Sequence, residues 1–134
     1  MVSKLDEAFR FHQTSLSLYA ARQELLSSNI ANADTPNYKA RDIDFAGALQ
    51  NALSGSSAKL PVAHTSASHL GGAAGSTIMG SPVMYRRPSQ PSADGNTVDM
   101  DIERAQFADN ALRYEASVKF ISDDIKGLML AIQG

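Results

Sequence analysis

Three histidines and a late run of acids are the residues in this 134-residue chain whose types suit metal or proton chemistry. His12 falls inside an apolar helical series, while His64 and His69 stand five apart in a stretch of small residues. No Asp or Glu lies at ligand spacing to them, so they read as packed or solvated histidines. Asp94-Gly95-Asn96 followed by Asp99 and Asp101 is arranged somewhat like a calcium loop. A loop begun at Asp94, however, puts Asp99 where glycine must turn the chain and Ala105 where a bidentate glutamate belongs. These acids serve better as helix caps. Gly71-Gly72 and Gly75 lack the lysine and following helix of a phosphate-binding loop, and no Gly-x-Ser-x-Gly occurs. Arg86-Arg87 is two charges, not a patch. Spacing therefore points to no catalytic site, metal, cofactor or small-molecule substrate.

One polar cluster is informative. Asn29 and Asn32 stand three apart at the expected end of a helix, followed by Asp34-Thr35-Pro36-Asn37-Tyr38-Lys39. Two asparagines there can satisfy the carbonyls that a helix end leaves without partners, and so fix the direction in which the chain leaves. Thr35 before proline is pushed out of the helical region, and Asn37 tolerates positive φ. A plain helix stop and turn explains the same residues, and spacing alone does not separate that from an assembly contact.

The elements that position this cluster are two long helices. In the last third, Phe107, Ala111, Tyr114, Val118, Ile121, Ile125, Leu128 and Ile132 follow an unbroken 4-3 spacing, the mark of a continuous apolar seam. Such a helix, capped by Asp99 or Asp101, is about 50 Å long. In the first third the seam is Leu5, Phe9, Leu16, Tyr19, Leu26, Ile30 and Ala33, with His12 and Gln23 at the two in-register positions that are not apolar. Ser3 and Asp6 suit its start. Each helix carries a second stripe: Phe11, Leu18 and Leu25 on the first, and Ala105, Leu112, Ala116, Phe120 and Leu130 on the last. Two opposed stripes call for neighbours on both sides, so the second is expected to meet other subunits. Between the helices, Asp42 or Asp44 offers the N-cap of a short helix bearing Phe45, Ala46, Leu49 and Leu53, with Gly55 as its stop.

The expected fold is all-α, with the long N- and C-terminal helices paired as a coiled coil. Residues 1–53 hold the first helix, turn motif and short helix, 54–97 form a flexible or partner-ordered linker, and 98–134 carry the last helix. The linker is rich in Ser, Gly, Ala and Pro and has no lasting apolar period, although Lys59–Ala63 and Ser76–Arg86 can pair as a small β-hairpin. A net charge of -2 leaves no electrostatic footprint for nucleic acid. Cysteine is absent, which excludes disulfides and thiolate metal sites. No apolar run approaches a membrane span. The sequence from Met1 to Glu7 shows no secretory h-region or cleavage site, which is expected of a protein that stays in the cytoplasm or leaves by a route without signal cleavage.

Asn29-Ile30-Ala31-Asn32 followed by Thr35-Pro36-Asn37-Tyr38-Lys39 resembles the N-terminal signature of the bacterial flagellar rod and hook family, written A-N-N-I-A-N…T-P-G-Y-K. Asn37 replaces the usual glycine. Asp34 to Phe45, and Asn96 to Asp101 leading into Glu103-Arg104-Ala105-Gln106-Phe107-Ala108, are similar to the proximal-rod members. The resemblance covers roughly residues 1–54 and 95–134. It implies a structural subunit of the basal-body rod, exported through the flagellar type III gate, crossing the periplasm and carrying motor torque. Its implied partners are copies of itself, other rod proteins, the ring–rod junction protein and the export gate at the membrane ring. From the residues alone, a cytoplasmic helical-hairpin adaptor or export chaperone holding a client helix is the alternative.

Overall fold

The computed structural model describes residues 2–54 and 77–134. Lys59–Ala63, Gly55, His64 and His69 lie outside them. Helix α1 spans Val2–Ala31, β1 Arg41–Ile43, α2 Phe45–Leu53, β2 Thr77–Ile78, β3 Ser81–Tyr85 and α3 Met100–Gln133. The described residues are thus largely helical. Ser3, expected to cap α1, lies within it. Asp44, not Asp42, is the N-cap residue of α2. Asp99 caps α3, its carboxylate accepting from the backbone N–H groups of Asp101 and Ile102 at 3.1 and 3.3 Å. Asp101 and Glu103 in the first turn also suit the helix dipole. Lys119 Nζ reaches Asp123 one turn on at 2.6 Å and Arg113 Nε reaches Asp109 at 2.8 Å, so the exposed side supports itself.

The three strands form an antiparallel sheet in the order β1-β3-β2, with Arg41 opposite Tyr85, Ile43 opposite Val83 and Ile78 opposite Ser81. Met79 and Gly80 join β2 to β3 with φ of 50° and 83°. Positive φ at both positions suits a two-residue turn to the twist of its strands. A hairpin therefore folds within 77–85 and acquires a third strand from the motif side, while the expected pairing of Lys59–Ala63 with Ser76–Arg86 lies outside the described residues. Residues 77–97, assigned from sequence to a linker, pack against both ends of the chain.

The core lies under this sheet. Leu18, Leu25, Ile43 and Ala48 are buried together, with Phe45, Leu49, Ile78 and Val83 packed around them. The Tyr19 and Phe45 rings stack at 4.3 Å. This corrects the assignment of Leu18 and Leu25 to an inter-subunit stripe: α2 and the sheet of the same chain cover them. Phe11, Ala105, Leu112, Ala116, Phe120 and Leu130, the other members of the second stripes, stay exposed.

Helices α1 and α3 run antiparallel, as the contacts Asn29–Glu103, Tyr19–Asn110 and His12–Asp124 require. Of the expected seam, Leu26 is completely buried, and Phe9, Leu16, Tyr19, Ile30, Phe107, Ile121 and Leu128 are partly so. Leu5, Tyr114, Val118, Ile125 and Ile132 are exposed, which corrects their expected burial in the pair, although Leu5 and Tyr114 still line grooves that α1 and α3 bound together. The physical reason is a polar row at seven-residue spacing on α3. Its first two members, Glu103 and Asn110, are the fully buried side chains of the helix, Ser117 is half-buried, and Asp124 meets His12. With that row turned toward α1, the neighbouring apolar row through Val118, Ile125 and Ile132 faces outward.

Candidate functional site

Where α1 ends and α3 begins, the motif residues meet the first turns of α3. Asn29 is completely buried on the last turn of α1. Its Nδ2 donates to the Arg41 carbonyl at 2.8 Å and to Glu103 Oε2 at 3.1 Å, while its Oδ1 accepts from Arg41 N at 3.0 Å and from the Tyr38 hydroxyl at 3.4 Å. One side-chain amide thus occupies both backbone groups of Arg41 on the edge of β1 away from β3. That edge would otherwise be open to pairing with another strand. Asn32 acts locally: Nδ2 donates to the Ser28 carbonyl at 2.8 Å and Oδ1 accepts from the Thr35 hydroxyl at 3.1 Å. Ile30 is half-buried, whereas Ala31 and Pro36 stay on the surface.

The carbonyls of the turn that follows α1 are gathered by a residue far along the chain, just before α3. Asn96 Nδ2 lies 2.9, 2.8 and 2.8 Å from the carbonyl oxygens of Asn32, Ala33 and Thr35, and its Oδ1 accepts from Val98 N at 2.8 Å. The turn that presents it is fitted to the motif. Asn37 (φ 60°) donates its backbone N–H to the Asp94 carbonyl at 2.9 Å. Gly95 has φ 75°, and a Cβ there would sit 2.5 Å from Asn37 Oδ1. Lys39 Nζ donates to the Gly95 carbonyl, Thr97 N donates to the Tyr38 carbonyl at 3.0 Å, and Ala40 N donates to Thr97 Oγ1 at 2.8 Å.

Beside the asparagines lies a neutral set of four charges. Arg22 grips Asp42 in a fork, Nε to Oδ1 at 2.9 Å and an Nη to Oδ2 at 3.0 Å, and reaches Gln106 Oε1 at 2.6 Å. Arg86 bonds Asp42 Oδ2 at 2.6 Å and pairs with Glu103. Burial pushes the Asp42 carboxyl up, but its bonds to Arg22 and Arg86 outweigh this and hold it below the ordinary aspartate range. Burial raises Glu103, and the Asn29 amide and the Arg86 charge only partly offset that. The Arg22 guanidinium is raised by its bond to Asp42. The acids and amides are consumed by one another. Among the described residues no group of three or more His, Asp or Glu is placed to hold a metal ion, and no helix is long and apolar enough to cross a membrane.

Sequence reasoning placed Asn29, Asn32 and Asn37 but missed Arg22, Asp42, Arg86, Glu103 and Asn110. From sequence Asp42 is a candidate cap, Arg86 one of two adjacent charges and Glu103 part of the family resemblance. The seven-residue step through Glu103, Asn110, Ser117 and Asp124 is the available signal.

A site made of interlocking struts between two long helices defines a structural subunit. A family model described as flagella basal body rod protein matches residues 9–39. The chain is 52% identical over 136 residues to the flagellar basal body rod protein FlgB of Escherichia coli K12, covering 99% of this chain and 98% of that protein. It is 47% identical over 140 residues to FlgB of Salmonella typhimurium and 46% identical over 135 residues to that of Aeromonas hydrophila, covering 100% of this chain and 99% and 98% of those proteins. The chain belongs to the flagellar basal-body rod protein family. It is a structural component of the rod and not an enzyme.

Proposed function

We propose that this rod subunit is a rigid strut whose α1–α3 pair forms a coiled coil in the assembled axle, with the outward apolar face of α3 seated on neighbouring subunits. The observation that carries the reading is that face. Leu112, Phe120 and Leu130 stand 66%, 62% and 69% exposed on the side of α3 away from α1, with Ala116 between them. An apolar stripe of that length is unfavourable in water and suits another helix. Contacts between unlike surfaces of successive copies build a helical stack when their rotation does not close a ring, and that is the arrangement proposed for the axle. The clamp of Asn29, Asn96 and the four charges fixes the angle at which α1 hands over to α3, which lets a torque applied at one end pass through the subunit. Exit through the flagellar type III gate without signal cleavage, a position in the axle crossing the periplasm, and contact with the ring–rod junction protein and export gate complete the proposal.

The test is the double variant Leu112→Asp/Phe120→Asp in a strain lacking the native copy. Both positions are exposed, so the chain is expected to fold with wild-type circular dichroism. Isolated basal bodies are expected to lack a rod, and cells not to swim. Complete rods and swimming cells would remove this face from assembly.

A further inference from the structure

Asn110 lies two turns beyond the clamp and is completely buried. Its Nδ2 donates to the Tyr19 carbonyl at 2.9 Å and to Gln23 Oε1 at 2.6 Å, while its Oδ1 accepts no hydrogen bond among the described residues. A half-satisfied buried amide is a poorer source of stability than an apolar side chain of similar volume. What it offers instead is selection among pairings.

The apolar pattern needs such a selector. Sliding α3 by seven residues along α1 exchanges Phe107, Tyr114, Ile121 and Leu128 for one another, so the seam survives the slip. The same slip puts Leu16 or Ile30 where Gln23 stands, and Asn110 would then face an apolar side chain. Only His12 and Gln23 interrupt the α1 series between Leu5 and Ile30. Each meets a polar partner on α3: Gln23 meets Asn110, and His12 Nε2 lies 3.2 Å from Asp124 Oδ2.

We propose that Asn110, held by Gln23 and the Tyr19 carbonyl, is a specificity-determining residue of helix pairing, tying α3 to its own chain's α1 in a single register beyond the reach of the Asn29–Glu103 and Arg22–Gln106 contacts. It excludes heptad-shifted pairing and exchange with α1 of a second copy. This is a property of the single chain, so it stands or falls separately from the contact face proposed above.

The test uses the full chain, which has no native cysteine. Spin labels are attached at Ser17→Cys on α1 and Lys126→Cys on α3, both exposed. Pulsed electron paramagnetic resonance then reads the distance between them, with labelled chains diluted into unlabelled ones. A one-heptad slip displaces the labels by about 10 Å along the axis. The unsubstituted chain is expected to give a single population. Asn110→Leu is expected to add a second population, or a dipolar signal between singly labelled chains on mixing. A helical Asn110→Leu chain with the original single distance and no exchange would overturn the proposal. A purely stabilising role moves the melting temperature and neither of these readouts. If Asn110→Leu loses its helical signal, Gln23→Leu, which leaves the Tyr19 carbonyl in place, decides by the same readouts. A second population or exchange supports the key, and the original single distance overturns it.

Discussion

The Asn29 side chain forms two opposed hydrogen bonds with the backbone of Arg41, donating to its carbonyl at 2.8 Å and accepting from its N–H at 3.0 Å. A helix side chain thus stands in for the next strand of the sheet. This joins α1 to β1, and the further bond to Glu103 brings in α3.

Removing that amide leaves buried partners unsatisfied on three elements. Asn29→Ala is expected to cost about 2–3 kcal/mol, from the unpaired Arg41 backbone and Glu103 carboxylate. Urea denaturation followed by circular dichroism measures it. Asn32→Ala, whose bonds are local and partly exposed, is expected to cost less than half as much. An equal loss at the two positions would deny Asn29 its bridging role.

The charge set predicts an acid dependence whose sign follows from Asp42. Its folded carboxyl titrates below the unfolded value of about 3.9. The unfolded chain therefore binds more protons as pH falls through that window. The stabilisation is complete above about pH 4 and is lost as pH falls through the folded value. Glu103 runs the other way. Its raised folded value means that stability declines as pH rises from about 4.3 through that value. Asp42→Asn breaks both arginine pairs and is expected to cost on the order of 3 kcal/mol at neutral pH. It should also flatten the acid limb of stability against pH. An unchanged acid limb would show that Asp42 is not the group responsible.

Two glycines are expected to respond with opposite signs. Gly95→Ala puts an L-residue at φ 75° with its Cβ 2.5 Å from Asn37 Oδ1, a loss of roughly 1–2 kcal/mol from the backbone alone. Gly127, inside α3, has nothing within 4 Å of an added Cβ, so Gly127→Ala is expected to gain about 1 kcal/mol. Paired thermal melts give the comparison, and a stabilising Gly95→Ala would remove the fitted turn from this description.

Both long helices were legible because 4-3 spacing persists over many turns, and the motif marked the end of α1 within two residues. The partners of each face were not legible. Leu18 and Leu25 stand seven apart whether a second subunit or the chain's own sheet covers them, and only the pairing of β1 with β3 decides it. That pairing involves three residues of β1, too few to show alternation. The interior of the α1–α3 pair was misread because a search for apolar seams passes over Glu103 and Asn110. Their burial depends on Asn29, Arg86 and Gln23, which only the fold brings near. Asn96 looked like one member of an Asp-Gly-Asn turn, and nothing local announces that it gathers the carbonyls of the turn after α1.

The assembly role of α3 is tested most directly by placing a photo-activatable cross-linking residue at Phe120 and irradiating intact basal bodies. Covalent adducts between this chain and neighbouring rod subunits are expected, with far fewer from the same residue at Ser28, which is half-buried inside the clamp. Adducts from Ser28 and none from Phe120 would contradict an outward-facing contact surface on α3.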